Sequence, residues 1–271
     1  MNSSSLRGKR FFLLDMDGTI YLGDRLFDGT VDFLNYVRAS GGKYLFLTNN
    51  SSRGVDAYVE KMRRLGISAT AEDFLTSVDA TIADLKRTHP DDLLYCFGTA
   101  TFRAQLAAAG LHITDKLQDG ICALVIGFDT ELTFQKLEDA CILLMRGVDF
   151  IATNPDWVCP TWYGFVPDCG SVCEMLFRAT GKRPRVIGKP QPAMVELALA
   201  RTGYAPEQAL LVGDRVYTDI ACGVAAGIDT ALVLSGESTL DDIVPGKTEP
   251  TWVFDDVGAL LAAVKREETI A

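Results

Sequence analysis

A chain of 271 residues exceeds the usual span of one domain, and with 48% hydrophobic residues it can bury a sizeable core, so a second module is expected. A net charge of −10, with no Lys/Arg run to offset it locally, argues against a nucleic-acid partner. Two histidines and seven scattered cysteines argue against histidine-based nucleophilic catalysis and against a disulfide framework, the cysteines reading as reduced core thiols.

Arg7, Lys9 and Arg10 precede the apolar run Phe11-Phe12-Leu13-Leu14, which Asp15 interrupts too early for a signal peptide. No stretch nears the roughly 20 apolar residues of a membrane span. A cytoplasmic location without a membrane partner is therefore expected. The run reads as a buried strand ending in Asp15-Met16-Asp17-Gly18-Thr19. Residues i and i+2 of a strand share a face, so Asp15 and Asp17 would open into one pocket at the strand's carboxyl end, where open α/β sheets bind ligands. The plain alternative is an acidic turn. Asp24 to Asp28 leave too little chain for an insertion, and Val31, Leu34 and Val37 then repeat at helical spacing.

A second strand over 44–48 ends in Thr48-Asn49-Asn50-Ser51-Ser52-Arg53, whose hydroxyl and amides suit either a plain helix cap or an oxyanion cradle at a helix's positive end. Val55, Tyr58, Val59, Met62 and Leu65 form the next stripe, ended by Gly66. Strands near 73–76, 93–97, 122–127 and 149–153 alternate with helical segments, one carrying Leu137, Ala140, Cys141, Leu144 and Met145. His89, before Pro90 near a helix end, reads as a surface residue close to the C-terminal dipole. Gly127-Phe128-Asp129-Thr130 and Asn154-Pro155-Asp156-Trp157 follow two of these strands. Asp129, Asn154 and Asp156, with Asn50, are candidate substrate contacts, turn formation being the alternative. Cys169 and Cys173 are the nearest cysteine pair but lack two further ligands for zinc.

After a strand at 185–188, Lys189 stands alone before a Pro-started helix. A strand over 210–213 delivers Asp214, with Asp219 about one helical turn on, and strands at 229–234 and 251–254 complete the alternation. Strand and helix in alternation signal a parallel sheet. Neither a Gly-x-Ser-x-Gly elbow nor a Gly-x-x-x-x-Gly-Lys-Ser/Thr loop is present, against serine hydrolysis and Walker-type nucleotide binding. More than a hundred residues separate Asn50 from Lys189, more than one or two βα units need. The expected fold is α/β, with a Rossmann-like parallel-sheet core (1–78 and 183–271) and an inserted smaller α/β cap domain (79–182).

These strand ends together offer a nucleophile, a proton donor, an oxyanion cradle, a cation and metal-binding carboxylates. At Asp15 to Thr19, Thr48-Asn49, Lys189 and Gly213-Asp214 through Asp219, the chain resembles the four motifs of the haloacid dehalogenase-like (HAD) phosphohydrolases. Thr48 to Arg53, Ala152-Thr153-Asn154-Pro155-Asp156 and Gly188-Lys189-Pro190 are similar to the NagD-type, nitrophenylphosphatase-like branch, and the resemblance spans nearly the whole chain. It implies a cap between the second and third motifs, a small phosphorylated metabolite as partner, and a homodimer through the cap as one arrangement to consider. Sugar, nucleotide, glycolyl and pyridoxal phosphates are the substrate classes it opens.

For the site, the resemblance implies that Asp15 attacks phosphorus to give an aspartyl phosphate and that Asp17 is general acid and base. Thr48, the Asn49 backbone and Lys189 would hold phosphoryl oxygens. Mg2+ would be held by Asp15, the Asp17 backbone carbonyl, Asp214 and Asp219. A departing halide needs no acid, so Asp17 argues against dehalogenation. A phosphomutase or phosphotransferase on the same core and a catalytically silent metabolite-binding protein are the alternatives.

Overall fold

The computed structural model describes residues 5–161 and 163–269, and in it the chain forms two compact units. The first comprises the chain up to Thr48, Val59–Leu75 and everything from Lys189 on; the second comprises Asn49–Tyr58 and Thr76–Gly188. The insertion is thus longer at both ends than 79–182 and includes a detached segment. Side chains explain the detached piece: Ser51 Oγ lies 3.0 Å from Thr153 Oγ1 and accepts from the Phe128 N–H at 2.8 Å, while Thr99 Oγ1 donates to the Ser52 carbonyl at 3.0 Å.

The first unit is built on a six-stranded sheet whose order is Trp252–Phe254, Asp229–Val233, Ala209–Gly213, Phe11–Leu14, Lys43–Thr48, Phe74–Thr76. Phe11–Leu14 pairs in parallel with strands on both sides, Leu14 lying opposite Val212 and Phe46. It and Ala209–Gly213 are buried throughout, as strands covered on both faces must be, and therefore read as unbroken apolar runs. From Phe11–Leu14 the chain builds outward first on one side and later on the other. Such a reversal leaves a crevice at the carboxyl ends of the central strands.

The helix Thr30–Ala39 buries Thr30, Phe33, Leu34 and Val37, an i, i+3, i+4, i+7 stripe that leaves Val31 at its exposed edge rather than in the core. A two-residue ladder between Tyr21–Leu22 and Arg25–Leu26 was too short to signal itself in sequence.

The second unit carries a parallel five-stranded sheet in the order Arg185–Val186, Asp149–Ala152, Ile121–Ile126, Leu93–Phe97, Ile113–Thr114. Its core joins Tyr95, Phe97, Leu124 and Ile126 to Ala140, Leu143 and Leu144 of the helix Phe134–Arg146 and to Val172 and Leu176 of Cys169–Thr180. Leu143 takes the buried place that the sequence pattern gave to Met145, which is exposed. The antiparallel pair Val158–Thr161 and Gly164–Pro167 contains two prolines and gave no strand signal.

His89 is not a surface residue. It caps Ser77–Thr88 and is buried, with Nδ1 2.9 Å from Asp92 and Nε2 3.3 Å from Asp149. All seven cysteines are free; Cys96, Cys169, Cys173 and Cys222 are buried and half-buried Cys141 packs against the second unit's core, so the core-thiol reading fails for Cys122 and Cys159. Among the described residues, no helix is long and apolar enough to cross a membrane.

Candidate active site

Asp15 follows the last residue of the central strand, its N–H donating to the Val212 carbonyl at 2.9 Å as though the ladder ran one residue further. Asp214 follows the last residue of the neighbouring strand, and Asp219 sits in the turn Val216–Ile220 that leads into the helix Ala221–Ala225. One carboxylate oxygen from each of Asp15, Asp214 and Asp219 lies within 4.8 Å of the other two. Lys189, the first residue of the returning chain, reaches into this group, its Nζ 2.5 Å from Asp15 Oδ1 and 2.7 Å from Asp219 Oδ1. The pair engages Oδ1 of Asp15 and leaves Oδ2 outside it.

Gly18 makes the arrangement sterically feasible. Its φ of +90° is left-handed, and a Cβ there would fall on the Asp214 carboxylate, 2.6 Å from Cγ. Gly18→Ala should therefore displace Asp214 and lower kcat at least tenfold through roughly 2 kcal/mol or more of strain and clash. Steady-state kinetics beside a melting curve checks this, and an alanine variant with wild-type kcat would contradict the close approach.

Burial, together with the charges of Asp219 and Asp214, holds the Asp15 carboxyl well above the usual carboxylate range despite Lys189. Burial and then Asp219 push Asp214 up to about 7. Burial alone would depress the Lys189 ammonium, but Asp15 and Asp219 outweigh it and keep it protonated. Two buried acids and a third that is mostly covered, against one contacting ammonium, are an uncomfortable set without a further cation. The donor atoms suit one: Asp214 Oδ1 is buried without a hydrogen-bond partner, while Oδ2 accepts from the Glu237 N–H at 2.8 Å. Hard carboxylate oxygens of this kind fit Mg2+.

These raised values set a pH dependence for the protein in chelator. The folded state disfavours the charged carboxylates, so their contribution to stability is fully present below the ordinary value of 3.8 and lost as pH rises through about 7 at Asp214. Melting temperatures in chelator should show a downward component over that window that Asp214→Asn lacks, and a divalent cation should recover most at the upper end. Identical pH profiles for the two proteins would remove Asp214 as the source.

The remaining sequence candidates are placed as follows. Thr48 ends the strand Lys43–Thr48 and is buried. Asp17 lies half-exposed just beyond Asp15, its carboxylate 3.2 Å from the Tyr21 hydroxyl and 3.6 Å from Lys61 Nζ. In the second unit, Asn49 Nδ2 donates to Asp156 Oδ1 at 3.3 Å, and buried Asn154 donates to Asp156 Oδ2 and Asp168 Oδ1 at 3.0 and 3.2 Å. Asp129 is paired with Lys136 at 2.7 Å and accepts from the Glu131 N–H; Asn50 Oδ1 accepts from Ser52 N–H and Oγ. Each of the four candidate substrate contacts, Asn50, Asp129, Asn154 and Asp156, therefore has an internal structural job.

Sequence reasoning missed the loop after Asp229–Val233. Ser235 Oγ donates to the Gly18 carbonyl at 2.7 Å, and Gly236 has no room for a Cβ against Asp214. Its position at a strand's carboxyl end was the available signal. Tyr21 and Lys61 offered none.

A profile described as haloacid dehalogenase-like hydrolase matches residues 12–112, and one described as HAD-hydrolase-like matches 186–260. An acid sugar phosphatase of Staphylococcus aureus is 34% identical over 255 residues, 94% of this chain and 98% of its own. A 4-nitrophenylphosphatase from Thermotoga maritima superposes with a TM-score of 0.89 at 38% identity, covering 96% of this chain and 98% of that one. A glycerol phosphate phosphatase from Mycobacterium tuberculosis, solved in complex with magnesium, gives 0.88 at 33% identity, covering 96% and 77%. The same phosphatase has also been solved in complex with calcium.

Proposed function

The chain belongs to the haloacid dehalogenase-like hydrolase family, in its NagD and 4-nitrophenylphosphatase branch, and from that membership we propose that it hydrolyses small phosphate monoesters through a phosphorylated Asp15, with Mg2+ as cofactor. The observation that carries this reading is the Lys189 ammonium set between Asp15 and Asp219, with Asp214 completing a carboxylate trio at the ends of two central strands.

Asp15 Oδ2, outside the Lys189 pair, forms the new bond to phosphorus as the bond to the leaving oxygen breaks. Asp17 gives its proton to that oxygen, then takes one from the water that attacks the aspartyl phosphate and releases inorganic phosphate. Lys189, Thr48 and the Asn49 backbone stabilise charge on the phosphoryl oxygens. Asp15, the Asp17 backbone carbonyl and Asp214 would hold Mg2+, with Asp219 as a further contact, and the ion would supply positive charge against the phosphoryl group and relieve repulsion among the three acids. Asp219 has both oxygens bonded within the protein, to Lys189 and to the Arg215 N–H at 3.1 Å, so it orients the site more than it binds the ion. Among substrate classes, the acid sugar phosphatase relative favours sugar phosphates.

Release of nitrophenolate from nitrophenyl phosphate tests the reading. Magnesium should activate, and chelator should abolish activity. Calcium should fail to support turnover, because it takes carboxylates bidentately and would occupy the oxygen of Asp15 that must attack. Full activity in chelator, or equal rates with both ions, would overturn the metal assignment. A screen of sugar, nucleotide, glycolyl and pyridoxal phosphates then ranks the natural classes.

A further inference from the structure

Asp17 poses a problem of direction. A proton donor must point at the leaving oxygen, and misplacement by about 1 Å can cost on the order of 10²-fold in rate. Yet Asp17 lies past the end of its strand, before a glycine, with a side chain 49% exposed. Left alone, such a side chain would spread over several rotamers.

Two contacts hold it, and a third ties its partners to each other. The Tyr21 hydroxyl donates to Asp17 Oδ2 at 3.2 Å, and Lys61 Nζ stands 3.6 Å from Oδ1, so both carboxylate oxygens are engaged from different directions. Lys61 is itself seated 3.6 Å above the centre of the Tyr21 ring, a cation–π contact that ties the two partners together. The ring is wholly buried, and its backbone is fixed by the Gly18 N–H donating to the Tyr21 carbonyl at 2.8 Å and by the bridge between Asp17 and Tyr21. Tyr21 is thus an immovable post, and Lys61 a brace leaning on it.

We propose that Tyr21 and Lys61 form a positioning clamp on the Asp17 carboxylate that fixes the direction of its proton transfer to the leaving oxygen. The inference rests on the phosphatase reading with Asp17 as donor. An exposed ion pair contributes little to stability, so the clamp's value lies in orientation. Neither residue touches the reacting atoms, and both act through Asp17.

The test is a series of phosphate esters from nitrophenyl to alkyl, assayed with Mg2+ as kcat/KM for wild type, Asp17→Asn, Tyr21→Phe, Lys61→Met and Lys61→Arg. Tyr21→Phe keeps the buried ring and Lys61→Met keeps the stem over it, so either variant can report if the other folds poorly. Both should lose roughly tenfold on alkyl phosphates and less than about threefold on nitrophenyl phosphate, whose leaving group needs no proton. Dependence on leaving-group basicity should therefore steepen to a slope between wild type and Asp17→Asn, with Lys61→Arg restoring most of it. Should Asp17→Asn steepen the slope while the clamp variants lose equally across the series or not at all, the clamp is refuted and the phosphatase reading stands. If Asp17→Asn itself leaves the slope unchanged, or wild type hydrolyses no ester, the reading beneath the clamp fails and the clamp with it.

Discussion

Asp15→Asn should remove turnover of every phosphate ester, by on the order of 10⁶-fold if the amide cannot replace the carboxylate as nucleophile, while the protein stays folded and binds substrate. The amide has nearly the same shape, the backbone bond from residue 15 to the Val212 carbonyl at 2.9 Å does not involve the side chain, and Lys189 keeps Asp219 at 2.7 Å. Folding should not suffer. Burial and the neighbouring acids already hold the Asp15 carboxyl well above the usual range, which means the fold disfavours its charge. In chelator the variant should therefore melt no lower than wild type. Rapid-quench phosphorylation, circular dichroism and a melting curve measure these separately, and appreciable turnover with an unchanged spectrum would take the nucleophile's role from Asp15.

Asp17→Asn should act on one half of the chemistry. The proposed metal contact of residue 17 is its backbone carbonyl, so cation binding persists, but turnover of alkyl phosphates should fall roughly 10²–10⁴-fold for want of a proton donor. Nitrophenolate leaves without a proton, so phosphoenzyme should still form from nitrophenyl phosphate and then wait for a water that has lost its base. The expected trace is a burst of nitrophenolate followed by slow release. An equal loss of the first step for both substrate types would sink the assignment.

The strands that carry chemistry were the most legible part of the sequence. Phe11–Leu14, Lys43–Thr48 and Ala209–Gly213 are buried on both faces and so appear as apolar runs that stop at a polar residue. Asp15, Thr48 and Asp214 stand at those stops, so the position of each followed from the run before it. What hid from sequence was lateral. Whether Leu143 or Met145 faces the core depends on which side of a helix meets the sheet, and periodicity alone leaves neighbouring positions ambiguous. His89 was misread because, although Asp92 lies only three residues on, its other carboxylate partner, Asp149, opens a distant strand that only the fold brings alongside. The Tyr21 and Lys61 contacts on Asp17 share that character, since forty residues of chain separate the two.

The first unit gives way to the second between Thr48 and Asn49, returns for Val59–Leu75, and resumes for the last time between Gly188 and Lys189. At these splice points Gly188 N–H donates to the Thr153 carbonyl at 2.8 Å, and a Cβ on Gly188 would lie 2.7 Å from Asn49 Oδ1. The first and last of the graft's seams therefore lie side by side inside the second unit, one peptide bond from Thr48 on one thread and from Lys189 on the other. A donor cassette cut at 79 and 182 would separate Gly188 from the Thr153 carbonyl and Ser51 from the Thr153 and Phe128 it is bonded to. Cassettes traded between related enzymes should be taken instead as 49–58 together with 76–188, so that the seams travel with the cloth.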